Sequence, residues 1–294
     1  MVQYNPKTWG ALIFHAYSRH VIRRLWPSIA FMGLFTAAFC YLIIGVLAMD
    51  YRHFPGNTSV HSLLGIVLGL FLVFRTNSAY DRWWEGRRMW GGLVNSTRNL
   101  AIKLNAYVSP EAHEQREWFA AMISNFVYAT KEHLRYGVQL EQLESVDAAF
   151  IQFLKGYRHR PNRIASMLYD RINLLYKEGL LSGDQLINLD KEMKDFIDLL
   201  GGCERIKNTP IPYSYTMYIK KFIFSYIITL PFGFVSTFGY FTIPTVMFIT
   251  YILLSVELIA EEIEDPFGKD LNDLPTDELS QKIKENVKEI LQVV

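Results

Sequence analysis

Two cysteines in 294 residues, Cys40 and Cys203, supply no disulfide framework and no metal or redox spacing. A formal charge of +1 gives a nucleic acid nothing to bind. No alternating apolar and polar stretch of useful length occurs, so no strand is predicted. Residues 1–10 lack the form of a secretory signal, because the first strongly apolar run starts only after Pro27 and is too long for one. There is no phosphate loop and no nucleophile elbow. His15, His20, His113, His133 and His159 form no H-x-x-x-H or H-E-x-x-H pair on a helix, although His15 and His20 are near one another. These absences argue against an enzyme.

What is present is apolar sequence concentrated at residues 29–49, 62–74, 222–240 and 242–259. Between the second and third runs lies a long region of ordinary soluble character. The distribution predicts an all-α integral membrane protein with a substantial aqueous domain. Trp26, Tyr51, Phe54, Trp83, Trp84, Tyr213 and Tyr215 stand near the ends of the runs. They read either as interfacial belts or as large helix contacts.

The chain is organised around HSLLGIVLGLFLVFRTNSAYDRWWEGRR, residues 61–88. A bilayer crossing needs roughly 20 residues, more than the apolar part holds. Either the helix starts before His61 or it continues into the polar segment. In the second case Arg75, Asn77, Asp81 and Arg82 sit where only protein or water can satisfy them. Ile66, Leu70 and Phe74 fall on one stripe, which is either a pore constriction or ordinary core and lipid contact. Gly65 and Gly69 form a groove for close packing.

The order along the chain fixes a topology. Residues 5–25 predict an amphipathic helix, lying at the membrane interface or packed on the aqueous domain. Pro27 suits the start of the first crossing, and Pro55 and Gly56 turn the chain back. Arginines at 19, 23 and 24 and at 75, 82, 87 and 88 flank the first pair of crossings, against Arg52 alone between them. The positive-inside rule then puts both termini in the cytoplasm with four crossings.

Helices follow at 111–135 and 142–154, then one with Pro161 in its first turn. Another, at 184–200, is capped by Ser182 and stopped by Gly201 and Gly202. Pro231 kinks the third crossing, Gly239, Thr242 and Pro244 mark a reversal, and Thr276 or Asp277 caps a last helix at 276–291. The predicted divisions are 1–89, 90–210, 211–260 and 261–294.

Glu257, Glu261, Glu262, Glu264 and Asp265 cluster where the last crossing ends. They read as a salt-bridge network to Arg82, Arg87 and Arg88. Alternatively, with Asp270, Asn272 and Asp273, they supply hard oxygen ligands of the kind calcium takes, without the twelve-position calcium-loop spacing.

Two passages carry a family resemblance. FRTNSAYDRWWEGRRMWG at 74–91 and EEIEDPFGKDLNDLP at 261–275 resemble the hallmark sequences of bacterial and plant bestrophins. The resemblance covers nearly the whole chain and implies an ion channel of the inner membrane, a homopentamer whose second membrane helices line one central pore. It places Ile66, Leu70 and Phe74 on the three apolar neck positions and a second constriction within 180–187. Asp270 and Asp273 match two carboxylates of the animal calcium clasp. Lys269 and Leu271 replace acids of that run, so no cofactor is expected to be required.

The function expected is passive monovalent ion conduction through an apolar neck, with membrane lipids, permeating ions and copies of the chain as partners. Anion and cation selectivity stay open: Arg75 near the pore helix favours anions, the acidic cluster favours cations. A secondary transporter with Pro231 in a broken helix and a non-conducting membrane-anchored interaction protein are the alternatives.

Overall fold

The computed structural model describes residues 16–48, 50–54, 58–144 and 149–293. The part of the expected N-terminal amphipathic helix before Ala16, the histidine at 15 and the turn at Pro55 and Gly56 lie outside them. The elements are helical: α1 (Ala16–Cys40), α2 (Thr58–Tyr107), α3 (His113–His133), α4 (Phe150–Lys155), α5 (Arg160–Lys177), α6 (Gly183–Asn208), α7 (Tyr213–Phe238), α8 (Thr242–Glu264) and α9 (Thr276–Ile290). Residues 83–209 with 265–293 form one compact unit, and residues up to 82 with 210–264 form the other.

Three helical stretches are long and apolar enough to cross a membrane: His20–Val46, Ser59–Tyr107, whose apolar part lies in the unit of residues up to 82 with 210–264, and Tyr213–Glu264. The third is two helices, α7 and α8, joined by a single 3-10 turn at Gly239–Phe241. Gly239 adopts φ +54, a conformation that a side chain resists, which is why the chain reverses there. Met32, Leu68, Leu72, Ile219, Ile223, Ile227, Leu230 and Val246 form the main core of that apolar unit.

Pro27 does not start a helix. It lies inside α1, which runs without interruption from Ala16. Val21, Leu25 and Ile29 on one side of α1 are buried with Leu258 of α8, and that continuous contact outweighs the lost backbone hydrogen bond. α1 ends in a π-helical turn, Tyr41–Val46.

The second unit is a bundle with a core running from Trp90 through Phe119, Phe126, Leu168 and Phe196 to Ile283. Pro161 sits in the first turn of α5 as expected, with His159 as its N-cap. Ser182 and Gln185 form a reciprocal capping box at the start of α6. The expected stop at Gly201 and Gly202 does not occur, because α6 continues to Asn208. Gly202 faces Met89 of α2, whose Sδ would lie 2.7 Å from an added Cβ. This glycine permits close helix packing rather than ending the helix.

Two further expectations differ. Where one helix was expected at 142–154, a 3-10 turn at Leu140–Gln142 is followed by α4 alone among the described residues. α9 begins at Thr276, but Pro275 is its N-cap and no side chain caps it. Asp277 is engaged instead by Lys131 Nζ and Arg135 Nη2, each 2.7 Å away.

Candidate functional site: an exposed stripe on the long helix

α2 is continuous for 50 residues, so the apolar run does extend into the polar segment. Its buried face carries Leu68, Leu72, Arg75 and Ala79. Leu68 and Leu72 pack with Ile219, Ile223 and Ile227 of α7. On the other face, Ile66 is 72%, Leu70 56% and Phe74 53% exposed within the chain. Asn77 and Asp81 follow in steps of three and four and are exposed too. A row of large apolar side chains left bare in this way marks a surface that another chain, lipid or a narrow aqueous path must meet.

The four polar residues after the apolar run therefore separate. Asn77 and Asp81 continue the exposed stripe. Arg75 does not: it is fully buried, its Nη2 donating to Glu264 Oε2 at 2.7 Å and its Nε standing 3.6 Å from Glu257 Oε1. Glu264 Oε1 also accepts from the Ile211 backbone N–H at 3.0 Å. Arg82 Nε donates to the Glu264 backbone carbonyl at 3.1 Å. Arg75 is thus neutralised by two carboxylates of α8, and its charge is not offered to the stripe.

The rest of the acidic cluster is paired locally. Glu261 meets Lys220 at 3.4 Å, and Glu262 stands 3.9 Å from both His20 and Arg24. In the second unit Asp265 pairs with Lys207. Arg75, Lys220, Arg24 and Lys207 are partners that the sequence reading left out of the network. Arg82 reaches the cluster through a backbone carbonyl.

The two clasp-like aspartates behave differently from each other. Asp273 is buried, and its Oδ2 accepts from the Asp270 backbone N–H at 2.6 Å. Asp270 itself is exposed. Beside them, Arg135 Nε donates to the Phe267 carbonyl at 3.2 Å, and Lys269 lies over the Tyr136 ring, 5.6 Å from its centroid. The loop is closed by its own backbone and attended by two cations. In the 180–187 region Leu180 and Ile187 are 57% and 69% exposed, while Leu181 between them is buried.

Among the described residues, His133, His159 and Glu204 bring three ligand atoms within 4.8 Å of one another. Helix-spacing motifs do not detect this group, since its members come from the end of α3, the cap of α5 and the C-terminal part of α6.

Long apolar helices in sequence, an unbroken helix with a bare apolar face that includes Leu63, Val67 and Val73 beside Ile66, Leu70 and Phe74, and buried ion pairs on its other side define a multi-pass helical membrane protein. The chain belongs to the bestrophin family: the model described as Bacterial/Fungal Bestrophin protein matches residues 1–289. A "voltage-dependent anion channel-forming protein" of Nostoc sp. is 35% identical, over 92% of this chain and 93% of that protein. A protein of the same description from Synechocystis sp. is 34% identical, over 98% and 94% respectively. The crystal structure of a bacterial Bestrophin homolog from Klebsiella pneumoniae superposes with a TM-score of 0.80 at 28% identity, covering 90% of this chain and 99% of that one. The family is one of channels rather than of catalysts.

Proposed function

We propose that this chain forms a passive monovalent ion channel of the bacterial inner membrane, with the exposed stripe of α2 as its pore wall. In this reading α1, the apolar part of α2, α7 and α8 are four crossings with both termini in the cytoplasm. Five copies place Ile66, Leu70 and Phe74 in successive apolar rings. A narrow bore of that kind loses its water and closes, and a small widening admits hydrated ions. The observation that carries the reading is the bareness of those three side chains, opposite a face of α2 that is fully packed.

The same stripe supports a cation preference. Asp81 is the first charged residue on it after the neck, whereas Arg75 is buried against Glu257 and Glu264. The descriptions of the curated relatives as anion channel-forming favour the opposite sign. Reversal potentials of the reconstituted protein in a sodium chloride gradient decide between them. We expect reversal toward the sodium equilibrium value, shifted toward zero by Asp81→Asn. Reversal at the chloride value removes the cation assignment.

A further inference from the structure

We propose that His133, His159 and Glu204 form a binding site for a divalent transition-metal ion of zinc's class, independently of conduction. His133 is the last residue of α3, His159 caps α5, and Glu204 lies within α6. Both imidazoles point Nε2 at the same carboxylate oxygen, Glu204 Oε1, at 2.7 and 2.6 Å. Their ring centroids are 4.5 Å apart. Three ligand atoms from three helices thus already converge.

The donor set selects the ion. Two imidazoles and one carboxylate suit zinc and its neighbours, while calcium and magnesium take oxygen ligands almost throughout. The side chains are 29%, 35% and 26% exposed, so water can reach a fourth coordination position. Zinc–ligand bonds of about 2.0–2.2 Å at tetrahedral angles set ligand atoms roughly 3.3 Å apart. Glu204 therefore has to withdraw from each ring by about 0.6 Å, a small movement for a partly exposed side chain.

Binding has a local consequence at α5. The Asn162 backbone N–H donates to His159 Nδ1 at 3.3 Å, which fixes the proton of the neutral ring on Nε2. A metal at Nε2 takes that proton's place, and the neutral ring then carries its proton on Nδ1. The cap contact is lost. Metal loading is thereby coupled to exposure of the Asn162 amide, a signature that a surface-adsorbed ion does not produce.

The test uses the full-length protein in detergent or nanodiscs, stripped with chelator and titrated with zinc by calorimetry. Metal content after dialysis and amide exchange over the first turn of α5 complete the measurement. The expected result is one zinc per chain, a raised melting temperature and faster exchange at Asn162. His159→Asn retains an N-cap acceptor but no imidazole, and is expected to weaken binding by about tenfold or more. His133→Ala, outside the cap, supplies a second variant with the same expected loss should the first misfold. No stoichiometric binding by the unsubstituted protein overturns the site. So does undiminished affinity in folded His159→Asn or His133→Ala protein.

Discussion

At the scale of residues, burial decides which charges remain available. Arg75 is fully buried, and Glu264 and Glu257 lie 2.7 and 3.6 Å from its guanidinium. Breaking a buried pair by deleting one partner costs roughly 3–5 kcal/mol, because the other charge is left uncompensated. Glu264→Ala is therefore expected to lower stability by about that amount, read as a large drop in the melting temperature of the purified protein. A loss below about 1 kcal/mol, the range of exposed pairs, would show that Arg75 does not depend on it.

Asp277 gives a pH prediction outside the apolar unit. The hydrogen bond from Arg135 holds its carboxyl below the ordinary aspartate range, against the opposing effect of partial burial, with Lys131 adding to the lowering. Glu144 is also lowered: burial pushes it up, but Lys284 and Lys288 outweigh that. A depressed folded pKa contributes stability that is complete above the unfolded value, near 4 for these groups, and is lost as pH falls through the folded value. Both carboxylates hold α9 or its neighbours, Glu144 by way of two lysines on that helix. Amide protection factors in α9, taken relative to the intrinsic exchange rate at each pH, should fall as pH drops below about 4, and Asp277→Asn should diminish the change.

At the scale of elements, helix endings follow packing more than local residue preference. Gly201 and Gly202 have the composition of a stop, yet α6 passes through them because Gly202 lets Met89 approach. Gly202→Leu should cost on the order of 1–3 kcal/mol or more through overpacking, measured by denaturant unfolding; the exposed, contact-free Gly201 tolerates alanine. A neutral Gly202→Leu would return that glycine to a role in chain termination.

The same competition explains what was legible in the sequence. The apolar runs, the first turn of α5 and the capping box at Ser182 are local signals, and local signals survive folding. Pro27 was misread as a start since the side contacts of α1 with Leu258 are invisible to composition. The stripe through Ile66, Leu70 and Phe74 was readable from spacing, whereas the inward turn of Arg75 depended on carboxylates 182 and 189 residues away, at Glu257 and Glu264. The meeting of His133, His159 and Glu204 was unreadable for a similar reason, since three separate helices deliver it.

At the scale of the whole molecule, membership in the bestrophin family and the bare stripe of α2 support the function proposed above, in which ions pass down their gradient through an apolar neck that α2 supplies from each copy. A secondary transporter built on Pro231 would exchange ions slowly and saturably. An interaction protein would pass none. The measurement that separates these is single-channel recording of the purified protein in a planar bilayer, run alongside Ile66→Ala and Leu70→Ala. The account predicts discrete current steps and a larger ion flux in the alanine variants, whose smaller side chains widen the neck and ease its wetting. Slow saturable exchange without unitary steps, or flux unchanged in both variants, would contradict it.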